Sequence, residues 1–554
     1  MLKKLLPLLA LLASIPVFGQ NTVGLISYRP TAAFEGYNLI YPHDQPHVYL
    51  LNNCGEIVHV WQDEPVYRPG NTAYILPDGR LVRAKRLSNV SMDPIWAGGG
   101  GAIIEIRDWD NNLLFSFEMN NALHRLHHDF AVTPQGTIIA VAWEKKTQEE
   151  AIQAGRNTAL LPDGELWSEA LFEIDPATGA IVWEWHLWDH LVQDFDPAKD
   201  NFGIVENRPE RLDINFTTNA GARNWLHTNA VDFNDELNQI MLSSPFLNEI
   251  YIIDHSTTTA QAATSNGGLG GRGGDFLFRW GNPQAYRRGT AADQTLFFNH
   301  DAHWIDDHLN AAHPHFGKIG VFNNLAGPDF STVEVVEPDW DMYTWNYPIP
   351  AAAPWGPTAP QLTLTHPEPT AMYSTGLSSA QFLPNGNVLI HSGRQGYAFE
   401  LTPDNQLAWE YVVPLKNGQP VSQGTNLVLN DNLTFRMDRY PATYSAFNGK
   451  DLSPKGWLEL EPDSTFCNKI LSTGERPNRY RLTVAPNPAK GQVTLQWEGS
   501  NEATLQVFDW TGRAVTGQAR FGSGRTSLDI SGWQSGIYFI KSDKWEPVKL
   551  VVMK

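Results

Sequence analysis

Three histidines stand at comparable places in this chain: His128 in "LHRLHHDFAVTPQGT", His227 in "NWLHTNAVDF" and His300 in "FFNHDAHWID". Each heads a run of apolar residues that reads as a buried strand, where histidine is an uncommon choice. His128 lies six residues before Pro134, and Ser378 lies six before Pro384 of "SSAQFLPNGNVLI". On the same register, His227 and His300 fall at the matching position of their own segments. Neutral imidazole is a nucleophile or base, and imidazole N–H is a donor to developing negative charge. A ring of such groups suits transfer of an anionic group. A lone strand histidine is more often a satisfied core residue, and that reading is kept for His127 and His303, which fall on the other strand face. A metal held across the ring by His128, His227 and His300 is a geometric alternative. We expect neither a resident metal nor a cofactor.

The elements that must position these residues form a repeat. One unit is an apolar strand ending in an aromatic, as in "NNCGEIVHVW" (52–61), "DPATGAIVWEW" (175–185) and "TPDNQLAWEY" (402–411). It alternates with a hairpin unit, as in "YILPDGRLVRA" (74–84), "FAVTPQGTIIAVA" (130–142) and "AQFLPNGNVLIHSG" (380–393). Pro, Asn, Asp and Gly supply the turns, and the period-two alternation marks strands with a buried face. Joined, the units give four strands per repeat. Five copies, plus an orphan strand around 45–62 that closes the ring, predict an all-β chain with a six-bladed β-propeller over residues 20–450. A sandwich of the same length is the alternative. Insertions near 145–167, 188–224, 256–272 and 337–371 read as functional loops.

Composition bounds the partners. The 554 residues exceed one core. A net charge of −20 argues against nucleic acid or an anionic membrane surface as a partner. "MLKKLLPLLALLASIPVFGQ" reads as a signal peptide over 1–19, and no segment is long enough for a transmembrane helix. Cys54 and Cys467 are the only cysteines, and export permits, without requiring, their pairing.

On "HHDF", "WLHTNAVDF", "GGDFLFRWGNPQAYRRGT", "NHDAHWI", "GVFNN" and "SSAQFLPNGNVLI", the chain resembles the bacterial aryl-sulfate sulfotransferase family over about 24–450. The resemblance implies a propeller with its site in a central funnel. It also implies sulfuryl transfer from a phenolic sulfate ester to a phenol, without a nucleotide donor, through a transiently sulfurylated histidine. His128 matches the family's His-His-Asp element and His227, with Asn229, its His-x-Asn element. His300 matches a Gln-His element in which Asn299 replaces Gln. The catalytic candidates are therefore His227, His300 and His128, with Asn229, Asp301, Ser378 and Arg394 expected to contact substrate. Two departures matter. "LAGPDFSTVEV" after "VFNN" has no arginine, and "MYSTGLSSAQF" has no histidine where the attacking one is expected. Arg394 and His391 stand one strand later, and Arg223, Arg272 and Arg279 are other candidate cations. A binding propeller that has lost its nucleophile, or an aryl sulfate hydrolase, are the alternative functions.

Residues 451–478 read as a polar linker. Beyond it, "YRLTVAPNPAKGQVTL", "VFDWTGRAV" and "GIYFIK…KLVVMK" predict a small immunoglobulin-like β-sandwich of about seven strands. They resemble the C-terminal sorting domain of type IX secretion substrates of Bacteroidetes. That resemblance implies a partner, the type IX machinery, reached through 479–554. It further implies export through the periplasm, then release or attachment to the outer surface.

Overall fold

The computed structural model describes residues 21–468, 483–496, 503–509, 513–516, 519–521, 525–542 and 548–554. The expected signal peptide lies outside the described residues. The chain divides into two units, 1–471 and 472–554.

The first unit is all-β and propeller-like. Six antiparallel sheets follow one another in a cycle. The first runs Tyr67–Ile75, Leu81–Leu87, Ile103–Arg107, Leu113–Glu118, from inner to outer strand. The inner strands of the second to fifth sheets are His124–Val132, Ala230–Asn234, His300–Trp304 and Ser379–Phe382. The sixth sheet takes its inner strand, Thr434–Pro441, from the end of the unit and its other three, Gly36–Pro42, Val48–Asn52 and Ile57–Trp61, from the beginning. The orphan strand thus completes a sheet shared by both ends of the unit. Gly24–Tyr28 adds a fifth strand to the outside of the fifth sheet, against Leu407–Val412.

The sequence repeat has two physical counterparts. The "LPDG", "TPQG" and "LPNG" turns close with the same pair of backbone bonds. Leu76, Thr133 and Leu383 donate to Arg80, Thr137 and Asn387, while Gly79, Gly136 and Gly386 donate back. Those glycines sit at φ +90°, +87° and +86°, where a Cβ is disfavoured. The aromatic strand ends fasten neighbouring sheets. The indole N–H groups of Trp61, Trp185 and Trp409 donate to the carbonyls of Asp108, Gly274 and Asn53, each in the next sheet or its loop. All three tryptophans are buried, so each combines a large apolar contact with a satisfied polar atom.

Two expectations are revised. The insertion at 145–167 is partly strand: Ile138–Thr147 and Glu165–Asp175 pair along their full length, and Thr147 caps a short helix, Gln148–Gln153. The described part of the 451–478 linker is not a free tether. Trp457 bridges to Glu56, Leu460 to Ser422, and Leu458 and Cys467 are buried. Cys467 is disulfide-bonded to Cys54 with Cα atoms 5.6 Å apart, across a sequence separation of 413. In the chain-entropy model, closing so long a loop stabilises by about 6 kcal/mol before native strain is subtracted.

The second unit has two described sheets. One is Thr483–Ala485, Gln492–Gln496, Arg525–Asp529. The other is Ala519–Phe521, Ala503–Asp509, Gly536–Ser542, Val548–Val552. Val493, Leu495, Val507, Ile540 and Leu550 share one core. Asn487 of "APNP" bonds the last strand twice, donating to the Lys549 carbonyl and accepting from the Val551 N–H.

Candidate active site

The inner strands meet around a cavity of about 360 Å³, lined at one end of the cycle by His43, Asn71, Arg86, His128, His227, His300 and Arg394, with Trp96, Phe246 and Phe298 as aromatic walls. The strands reach it through local distortions. Pairing slips between Pro69 and Ala73, between Ala140 and Ala142, and between His300 and His303. Asn71, His128, His227, Asp301 and Ser378 all have left-handed φ values, from 53° to 95°. Such backbone costs about 1–2 kcal/mol at a residue with a Cβ, and its recurrence at one level of five sheets marks a place where side-chain aim matters more than regular pairing.

His128 and His227 pack edge to face with ring centroids 4.4 Å apart. His227 stacks on Phe246 at 4.7 Å, and its Nδ1 lies 2.7 Å from Asn224 Nδ2. With the amide so oriented, the His227 proton resides on Nε2. His300 has the opposite tautomer. Its Nδ1 is 2.7 Å from Asn324 Oδ1. The Asn324 amide nitrogen donates to the carbonyls of Ser374 and Leu377, at 2.9 and 3.0 Å, which fixes Oδ1 as the acceptor. His300 Nδ1 must therefore carry the hydrogen, and Nε2 keeps its lone pair.

Burial sets the charge states. It pushes His300 down to about 4, only partly offset by the Asn324 and Phe298 hydrogen bonds. His128 and His227 lie well below the ordinary histidine value, through burial first and neighbouring histidines second. All three are neutral at pH 7. The fixed cations are Arg86 and Arg394. Neither has a carboxylate within 4.0 Å among the described residues. Arg394 donates to Asn430 Oδ1, while its Nε is buried without a partner. His43 Nε2 and Asn71 Nδ2 are likewise buried and unpartnered. Two guanidiniums without a carboxylate partner, Arg86 held by the Leu87 and Ser88 carbonyls and Arg394 with its Nε unspent, give the cavity a lining that suits an anion despite the acidic chain.

The structure thus brings His128, His227, His300 and Arg394 together. It does not bring in Asn229, Asp301 or Ser378. Asn229 is buried and donates to the Asn299 carbonyl, joining the third and fourth sheets. Ser378 Oγ accepts from the Gly393 N–H. Asp301 faces a separate cavity of about 290 Å³ at the other end of the inner strands, together with Asp232, His303 and Asp438. There it lies 2.8 Å from Arg436 Nη2, which also reaches Asp129 at 3.1 Å. The other cations are engaged elsewhere: Arg279 with Glu249, Arg223 with Glu165, and Arg272 with backbone carbonyls. His391 is buried against the Thr434 carbonyl. His43, Asn71, Arg86 and Trp96 were not singled out in the sequence. His127 lines neither of these two cavities but touches His128 directly, with the two Nδ1 atoms 2.7 Å apart. Among the described residues, no group of three or more His, Cys, Asp or Glu side chains is arranged to hold a metal.

Comparison with known proteins gives two matches to family models. Residues 43–268 match the arylsulfotransferase (ASST) family, and residues 483–552 match the secretion system C-terminal sorting domain. Both resemblances read from the sequence are borne out. The first match includes His128 and His227 and ends before His300. The sorting domain directs export through the type IX system to the cell surface or outside, and no described helix is long and apolar enough to cross a membrane. No curated protein matches the chain. Solved structures with some likeness include virginiamycin B lyase from Staphylococcus aureus, at 10% identity and TM-score 0.31, covering 69% of this chain and 89% of that one. They also include the periplasmic gluconolactonase of Pseudomonas aeruginosa, at 11% and 0.36, covering 73% and 99%. Likeness this low bears on neither fold nor function.

Proposed function

We propose that the protein transfers a sulfuryl group from a phenolic sulfate ester to a second phenol, without a nucleotide sulfate donor, in the histidine-lined cavity. We read the six sheets as the blades of a six-bladed propeller, the cavity as its funnel, the C-terminal unit as an immunoglobulin-like sandwich, and residues 1–19 as the signal peptide. The observation that carries the chemistry is the pinned tautomer of His300. A neutral imidazole with its Nε2 lone pair held toward an anion-binding cavity is a preformed nucleophile.

In this reading His300 Nε2 attacks sulfur while the bond from sulfur to the aryl oxygen breaks, and the phenolate departs. The sulfuryl group then sits on Nε2 until a phenol oxygen displaces it, breaking the S–N bond and restoring His300. Charge spreads over the three sulfuryl oxygens. His227 Nε2–H and the Arg394 guanidinium are the donors placed to meet it, and one such donor is typically worth ~10²–10³ in rate. Trp96, Phe246 and Phe298 offer faces for the aryl rings. His300 in this role answers the missing histidine before "LPNGN", where Gly376 and Leu377 line the cavity instead.

Incubation of the purified protein with a chromogenic aryl sulfate, with and without added phenol, tests this. Acceptor-dependent phenolate release is expected. Acceptor-independent release makes it a hydrolase, and no release makes it a binding protein.

A further inference from the structure

Behind His128 runs a line of buried groups that no step above uses. His127 Nδ1 is 2.7 Å from His128 Nδ1, and His127 Nε2 is 2.8 Å from Glu169 Oε2. Glu169 Oε1 accepts from the Thr228 N–H at 3.0 Å. The His127 ring is clamped flat against Trp143 at 4.0 Å. Every member is buried. The His128 backbone N–H is bound to the Gly99 carbonyl, so with Nδ1 taken by His127, Nε2 is the ring nitrogen left for the cavity that His128 lines.

We propose that Glu169 and His127 form a proton relay that lets His128 act as general acid toward the departing phenolate, and then as general base toward the incoming phenol, without becoming an imidazolium.

Hydrogen-bond logic allows only two arrangements of this line in which both imidazoles are neutral. Two facing Nδ1 atoms share one hydrogen. If His127 holds it, His127 Nε2 is an acceptor, so Glu169 must be the protonated acid, and His128 carries N–H on Nε2. If His128 holds it, His127 Nε2 carries hydrogen and Glu169 is a carboxylate, leaving a lone pair on His128 Nε2. Conversion from the first to the second delivers the His128 Nε2 proton to the aryl oxygen. The His127 Nδ1 proton moves to His128, and the Glu169 proton moves to His127 Nε2. The sum is a carboxylic acid plus a phenolate becoming a carboxylate plus a phenol. The second half-reaction runs it backwards, taking the acceptor's proton.

The surroundings suit this. Burial raises Glu169 well above the ordinary carboxylate value, with the Thr228 and His227 contacts opposing. Burial and Arg125 hold His127 low, while burial, His227, His127, His300 and Arg125 do so for His128. Arg125 is itself paired with Asp93 at 3.0 Å. A cationic histidine is disfavoured here, so an acid proton must be stored elsewhere, and Glu169 is the store the line reaches. His127 and Glu169 are positioning residues; only His128 would touch substrate.

The proposal rests on the sulfuryl-transfer reading, so its test separates the two. Glu169→Gln keeps the shape and can donate to His127, but cannot give up a proton. For an aryl sulfate with a nitrophenolate leaving group, which departs unaided, its kcat/KM should stay within about threefold of wild type. For phenyl sulfate, whose leaving group needs a proton, the loss should reach ~10²–10⁴, the usual share of general acid catalysis. Equal loss on both substrates overturns the relay and leaves sulfuryl transfer standing. A second readout needs no turnover. The infrared spectrum of wild type minus Glu169→Gln at pH 7 should show one protonated carboxyl band. Its absence overturns the relay even if the protein transfers no sulfate.

Discussion

His300 Nδ1 lies 2.7 Å from Asn324 Oδ1, and two backbone carbonyls hold the Asn324 amide so that only its oxygen can face the ring. A side chain in the "VFNN" turn of the fourth sheet thereby decides which nitrogen of His300 is free. Replacing Asn324 with Asp puts an acid at the same place. Its anion would favour the imidazolium, raising the histidine from about 4, by about 1–3 pH units on the usual scale for an opposite charge in contact. His300 must be neutral to attack, so the acid limb of the kcat/KM profile should move up by that amount. An unmoved acid limb would separate His300 from the rate-limiting ionisation.

Gly99 of "WAGGGGA" closes over His128. A Cβ there would sit inside the van der Waals envelope of the imidazole, and the residue has φ +77°. Gly99→Ala should cost about 1–2 kcal/mol in backbone strain and push His128 out of line. Transfer from phenyl sulfate should fall by about 100-fold, within the range for a displaced general acid. Thermal unfolding followed beside the rate separates the two effects. Wild-type rates in a stably folded variant would remove His128 from the reaction.

Much of this arrangement was legible in the residues. The turn and tryptophan repeats revealed the sheets because each repeat unit makes the same local bonds. One histidine register found His128, His227 and His300. Arg394 was reachable as a neighbouring cation. Asp301 is expected to contact substrate on the resemblance over "NHDAHWI", but it faces the opposite cavity and Arg436. Ser378 shares the register of His128, yet its hydroxyl turns to the Gly393 N–H. His127 was expected to point away by strand parity. The left-handed turn at His128 breaks that parity and sets the two rings nearly perpendicular, at 82°. Asn71 holds the hairpin register of the three histidines, six residues before Pro77, but carries an amide and not an imidazole, while His43, Arg86 and Trp96 lie outside that register. His43 follows a strand that reaches the cavity only when the two ends of the unit share a sheet, and Trp96 lies in a loop of the first sheet.

Histidine burial predicts acid sensitivity. His391 is pushed down to about 4 by burial, against about 6.5 in the unfolded chain. Between those values the unfolded state holds the extra proton. The stabilisation from a neutral His391 is therefore complete above about pH 6.5 and lost as the pH falls toward 4, by about 1.4 kcal/mol per pH unit. His391→Gln keeps a donor for the Thr434 carbonyl and does not titrate. Denaturant unfolding at several pH values should show the stability difference between wild type and variant shifting toward the variant at that slope on acidification. A difference independent of pH would mean that His391 is not held neutral by the fold.

The central claim is that His300 carries the sulfuryl group. The most direct measurement is peptide mass spectrometry after a brief reaction with aryl sulfate and no acceptor, quenched before hydrolysis. One SO₃ adduct should map to His300. His300→Ala should lose both adduct and turnover, while His303→Ala, in the opposite cavity, should keep both. An adduct on another residue, or wild-type turnover in His300→Ala, would contradict the account.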